Sequence, residues 1–117
     1  MKLEIGMYVK TKNGYICKII NINDYREPNM KYGIEANYLK DVMFIGDDDV
    51  VKASYNIIDL IEKNDYINGS WVNEIVDGKP IHEDYNDPFY SFGWENDDIK
   101  SVITHEQMEQ MAYKVGE

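Results

Sequence analysis

Apolar and polar residues alternate along most of this chain in short runs with a period of two, the pattern of half-buried β-strands. In residues 4–10, Ile5, Met7 and Val9 share one side. In residues 15–23, Ile16, Lys18, Ile20 and Ile22 share one side, and Tyr15, Cys17 and Ile19 the other. The Thr11-Lys12-Asn13-Gly14 stretch between them is a hairpin turn, because Asn-Gly tolerates positive φ. Polar residues 24–32, with Pro28, predict a loop. Residues 33–36, 38–45 and 50–53 predict three further strands, with Asp47-Asp48-Asp49 as a loop before the last. Ser54 is placed to cap a turn carrying Ile57, Ile58, Leu60 and Ile61.

The pattern then starts again. Lys63-Asn64-Asp65-Tyr66-Ile67 answers to Ile5-Gly6-Met7-Tyr8-Val9. Asn68-Gly69 predicts a hairpin turn, 71–76 its return strand, and Asp77-Gly78 a second hairpin into 79–82. Tyr90, Phe92 and Trp94 alternate on one strand face, and 99–103 closes the sheet. Thr104 and Gln107 make a capping box. It opens a short helix over 106–111 with Met108 and Met111 inward, followed by a last strand over 112–115. Both halves end alike, with an acidic loop (Asp47-Asp48-Asp49; Asn96-Asp97-Asp98), a β-branched strand and a capped turn.

An internal repeat decides architecture before any single residue does. The expectation is an all-β protein of two tandem SH3-like small barrels, residues 1–61 and 62–117, with one short C-terminal helix. Each half is near the size at which a core barely suffices, so the two are expected to pack together. Ten tyrosines and only three leucines (Leu3, Leu39, Leu60) agree with strands rather than a helical bundle.

Three segments carry a resemblance: Ile5-Gly6-Met7-Tyr8-Val9-Lys10-Thr11, residues 54–61, and Ile103-Thr104-His105-Glu106-Gln107. With them the chain resembles a family of small uncharacterised proteins from phages and prophages of Firmicutes. Related chains have Gly-Asp-Tyr-Val-Asn-Gly where this one has Asn64-Asp65-Tyr66-Ile67-Asn68-Gly69, and Asn replaces the glycine if the backbone there is left-handed. The resemblance implies a mobile-element setting and brings no catalytic residues with it.

Charge changes the picture more than composition does. The net charge is −10. Residues 1–61 hold eight Lys/Arg and nine Asp/Glu; residues 62–117 hold four and thirteen. Such an acidic second half opposes direct binding of nucleic acid, which needs cations to displace counterions, and suits a basic partner surface. A single cysteine, Cys17, forms no internal disulfide. With no signal-peptide pattern and no membrane-length apolar run, it points to the cytoplasm of a host cell and no membrane association.

Candidate chemistry is sparse. His82-Glu83-Asp84 offers three consecutive ligand types, but neighbouring strand residues point to opposite faces and do not converge. Asp47-Asp48-Asp49 and Asp97-Asp98 lack the spacing of a calcium loop. Cys17 lies in an apolar strand, the setting of a small buried hydrophobe rather than of a nucleophile served by His82 or His105. No Gly-rich phosphate loop is present. No catalytic residue, cofactor or metal is therefore assigned.

The best surface candidate is the aromatic and acidic stretch 85–94, where Phe92 and Trp94 are expected to be core. Asp84, Tyr85, Asp87, Phe89, Asp97 and Asp98 are the expected contacts for a protein partner. The function expected is that of a non-enzymatic accessory protein of a phage or prophage. The alternatives are an acidic DNA mimic that inhibits a host nuclease, as anti-CRISPR proteins do, and a small enzyme. An exposed strand edge also leaves a homo-oligomer open.

Overall fold

The computed structural model describes residues 2–24, 27–35, 43–84, 87–112 and 115, with the side chains of 84 and 87–91 left out. These residues are mainly β: eleven strands in three antiparallel sheets, short 3₁₀ turns and one α-helix. The chain divides into two units, Met1–Leu60 and Ile61–Glu117. In the segments 38–45 and 85–94, residues 38–42, 85 and 86 lie outside the described residues.

The first unit is one five-stranded sheet. Its strands are β1 (Tyr8–Thr11), β2 (Ile16–Ile22), β3 (Tyr32–Glu35), β4 (Met43–Ile45) and β5 (Val50–Ser54), in the order β4-β3-β2-β1-β5. Strand β1 is therefore paired on both sides, with its hairpin partner and with the last strand of the unit. Val9 at its centre has no exposed surface and joins a core of Leu3, Cys17, Ile19, Tyr32, Ile34 and Ile45. The alternation along β2 does not run unbroken. An irregularity in its pairing with β3 falls between Ile19 and Asn21 and resets the parity. Ile22 then packs on the core while Ile20 faces solvent, although strict alternation puts them on the same side.

A 3₁₀ turn, Asp47–Asp49, precedes β5. The Asp49 carboxylate accepts from the Gly46 N–H at 2.9 Å, and the Tyr32 hydroxyl donates to Asp47 Oδ1 at 2.5 Å. Gly46 fits here by size. A Cβ at this position would lie 2.3 Å from the Pro28 carbonyl oxygen and 2.7 Å from Asn29 Cα, both backbone atoms.

The second unit contains β6 (Tyr66–Ile67), β7 (Ser70–Trp71), β8 (Glu74–Val76), β9 (Lys79–Asp84), β10 (Asp87–Gly93) and β11 (Val102–Ile103). They form two sheets, β11-β6-β7 and β10-β9-β8. With β7 and β8 taken as one strand interrupted at Val72 and Asn73, the order of pairings is that of the first unit. The interruption is held by Asn73: its N–H donates to the Ile81 carbonyl at 2.8 Å and its Oδ1 accepts from the Glu83 N–H at 2.7 Å. Both hairpin turns, Asn68–Gly69 (φ 53° and 84°) and Asp77–Gly78 (φ 50° and 78°), have two left-handed residues, which match the twist of the flanking strands. A 3₁₀ turn, Asn96–Asp98, again stands before the last strand. Trp94 is buried and Phe92 half-buried, their rings 4.8 Å apart.

The correspondence is closest where each unit begins. Met7 N–H donates to the Glu4 carbonyl at 3.2 Å, and Asp65 N–H to the Glu62 carbonyl at 3.1 Å, closing the same four-residue turn. The third residue is left-handed in both, Gly6 at φ 96° and Asn64 at φ 78°, the conformation that makes Asn an acceptable substitute for Gly. Each turn is then clamped by two backbone bonds to the returning strand. Gly6 donates to Ile19 and Ile19 to Met7; Asn64 donates to Val72 and Val72 to Asp65.

The C-terminal segment departs from expectation. Helix α1 spans His105–Met111, with the predicted capping box at Thr104. Met108 and Met111 do not point inward; they are 39% and 69% exposed. The helix is held by polar contacts in its first turn, and its far end has no apolar anchor among the described residues. Ala112 and Val115 are not in a strand, and residues 113 and 114 lie outside the described residues.

Two outcomes follow from the first unit. Gly46→Ala should lower stability by roughly 1–3 kcal/mol or more, because backbone rather than a mobile side chain blocks the methyl; the shift in urea midpoint measures it. Burial pushes the Cys17 thiol up from 9.0 to about 11. The folded state thus favours the neutral thiol, a contribution complete below pH 9 and lost as pH rises through 11. Stability in urea should fall over that window more steeply in the wild type than in Cys17→Ala, and native Cys17 should resist alkylation at pH 8.

Candidate functional site

The two units differ most in what they place at the corner between the opening turn and the end of the last strand. In the second unit this corner is built around Asp65, whose side chain has no exposed surface. A buried carboxylate is tolerable only when its oxygens are hydrogen-bonded. Asp65 Oδ2 accepts from the Glu62 N–H at 2.7 Å. Oδ1 accepts from the His105 N–H at 2.8 Å and lies 2.7 Å from His105 Nδ1. One carboxylate therefore ties the turn to the first turn of α1, forty residues further on.

The helix start is fixed independently. Thr104, itself buried, accepts from the Gln107 N–H at 3.2 Å, and the Gln107 side chain returns a bond to the Thr104 N–H at 3.0 Å. This capping box sets His105 and Glu106 on the first turn. The other ring nitrogen of His105, Nε2, lies 2.9 Å from Glu106 Oε1, an oxygen shielded from solvent. Glu62 stands alongside: the donor atoms of Glu62, His105 and Glu106 all lie within 4.8 Å of one another. These are the described residues best placed to hold a metal ion.

The first unit forms the same corner from different residues. Glu4 keeps its place, its N–H directed at Met7 Sδ at 3.3 Å where the second unit has a carboxylate. The side chain that returns from the end of the last strand is Tyr55, near Gly6 and hydrogen-bonded to Glu4. Partial burial, then the Glu4 carboxylate, raises the pKa of that phenol above its ordinary value.

The acidic candidates sit elsewhere on the second unit. Asp84 and Asp87 face each other across the β9–β10 pairing. The side chains of Asp84, Asp87 and Phe89, and Tyr85 altogether, lie outside the described residues. Asp97 and Asp98 are exposed on the 3₁₀ turn. Asp98 is not purely a surface group: its carboxylate accepts from the Glu95 N–H at 3.1 Å, and its carbonyl accepts from Asn68 Nδ2 at 2.8 Å. Asn68 Oδ1 in turn accepts from the N–H groups of Lys100 and Ser101, so one side chain clamps the whole approach to β11. His82 does not join an acidic cluster; its Nδ1 lies 2.7 Å from the Trp71 carbonyl and its ring packs beside Phe92.

A groove of about 370 Å³ lies on the first unit, lined by Thr11, Lys12, Tyr15, Met43, Phe44 and Asp49 among others. Its lining suits an apolar side chain and contains no histidine or cysteine.

Sequence reasoning missed Asp65 and His105. The signal available was the comparison of the copies, in which the carboxylate of Asp65 stands where the apolar Met7 does, just before the shared Tyr. Comparison of the chain with protein families, curated proteins and solved structures finds no match.

Removing the buried carboxylate strands three donors. Asp65→Ala should cost roughly 2–4 kcal/mol, against about 1 kcal/mol for Thr104→Ala, which removes one cap. Chemical denaturation of the two variants measures the difference.

Proposed function

We propose that this chain is a non-enzymatic accessory protein of a phage or prophage, built of two SH3-like units, that captures a basic protein partner through the acidic surface of its second unit. The observation that carries the reading is the disposition of charge. The second unit holds the surplus of thirteen acidic over four basic residues. Glu74, Asp77, Glu83, Glu95, Asp97 and Asp98 are all exposed, on β8, β9 and the turns beside them. Only Glu95 among these has a lysine partner described, Lys79 at 2.6 Å. A field of one sign steers a partner of the other and speeds its association.

The SH3-like part of the reading is supported by strand order. In each unit the first strand lies between its hairpin partner and the last strand, and a 3₁₀ turn stands just before that last strand. Small folds of this kind expose short loops and bind partners more often than they catalyse. The buried titratable groups also favour binding over chemistry: the Cys17 thiol is held neutral, and Asp65 is occupied by three donors. No helix among the described residues is long and apolar enough to cross a membrane. The cytoplasmic setting rests on the sequence alone.

The opposed pair Asp84 and Asp87, with Asp97 and Asp98 on the turn after β10, also favours a second reading: an acidic DNA mimic that blocks a nuclease. Replacing all four aspartates by Asn keeps an acceptor for the Glu95 N–H while removing four charges. That variant should lose at least tenfold in capture of partner from host lysate, and undiminished capture would remove the acidic face from the reading. Inhibition of a purified DNA-binding nuclease that fades with added salt would select the mimic.

A further inference from the structure

We propose that the second unit carries a divalent-cation site at the start of α1, with Glu62, His105 Nε2 and Glu106 as ligands and Asp65 orienting the imidazole. This inference is independent of partner capture. It rests on three observations.

The first is the orientation of the imidazole. An ionised carboxylate only accepts, so the 2.7 Å contact between Asp65 Oδ1 and His105 Nδ1 places a proton on Nδ1. Nε2 faces the Glu106 carboxylate, so a cation bound there takes the place of the proton that Nε2 would otherwise donate to Glu106. Carboxylate, histidine and metal in this order is the arrangement that fixes a ligating imidazole and raises its basicity.

The second is the spacing. His105 Nε2 and Glu106 Oε1 are 2.9 Å apart, two electron-rich atoms that need a proton or a cation to hold them together. Two ligands about 2.0–2.1 Å from a tetrahedral Zn²⁺ stand roughly 3.3 Å apart. Glu62 completes the set within 4.8 Å on an exposed, rotatable side chain. One imidazole and two carboxylates suit a borderline first-row cation such as Zn²⁺, with water filling the remaining position.

The third is the first unit. It builds the same turn, with the same backbone bonds, from Glu4, Met7 and Tyr55. The fold thus forms the corner without histidine or a buried carboxylate; Glu62 has its counterpart in Glu4, and Asp65, His105 and Glu106 are particular to the second unit. A cation there ties Glu62 of the opening turn to the head of α1 and offsets part of the local negative charge.

The test is calorimetric titration of the untagged, chelator-treated chain with ZnCl₂, followed by thermal melts. One equivalent should bind and raise the melting temperature. In ¹⁵N spectra the Nε2 resonance of His105 should move while that of His82 stays. Glu62→Gln and Glu106→Gln leave the Asp65–His105 bond in place, so they should fold like the wild type yet bind at least tenfold more weakly. His105→Ala should abolish the site. Absence of a one-equivalent event, or binding unchanged in both Gln variants, would overturn the proposal.

Discussion

A carboxylate with no exposed surface has to be given its hydrogen bonds by the chain, and Asp65 takes them from two segments far apart in sequence. Its partners are the backbone of Glu62, three residues before it, and the backbone and ring of His105. The rest of the second unit is arranged around that demand. The turn, closed through the left-handed Asn64, presents the Glu62 N–H to Oδ2. The last strand must end where Thr104 can cap a helix, because only then do the His105 N–H and ring reach Oδ1. A short helix with exposed methionines is held at its head by this bond network rather than by burial of an apolar face.

The two units show how one backbone plan accepts two chemistries. The turn, its left-handed third residue and the pair of bonds to the returning strand are common to both. What differs is the side chain that looks into the corner. Methionine fills it with an adaptable apolar group, whereas aspartate fills it with a charge that must be fully satisfied. The first solution is tolerant of its surroundings and the second is not, so the second unit carries the stricter geometry and the more specific site.

Much of the fold was legible because it is local. The Asn-Gly and Asp-Gly pairs placed three hairpins, alternation put Cys17 and Ile19 on one side of their strand with Cys17 read as buried, and the Thr104–Gln107 spacing placed the helix start. The stand-in of Asn64 for glycine followed from the φ that residue tolerates. What was not legible depends on contacts distant in sequence. A pairing irregularity inside β2 turned Ile22 inward, away from the side of Ile20, without leaving any mark on composition. Met108 and Met111 have helical spacing, yet spacing does not supply a surface for them to cover. Asp65 and His105 are forty residues apart, each unremarkable alone, and they form a constellation only once the last strand pairs with β6. The acidic contacts expected at Asp97 and Asp98 are exposed, but the Asp98 carboxylate also holds its own turn, a double duty that a charge count does not separate.

The break at Val72 and Asn73 separates the corner from the acidic hairpin. In the first unit all five strands belong to one sheet, with irregularities in the β2–β3 and β1–β5 pairings. In the second, the break divides the ladder into two panels, bridged by the buried Asn73 and by the contact of His82 Nδ1 with the Trp71 carbonyl. Asp65 and His105 lie at the ends of β6 and β11, and the hairpin that carries Glu74, Asp77 and Glu83 lies on the other side of the break.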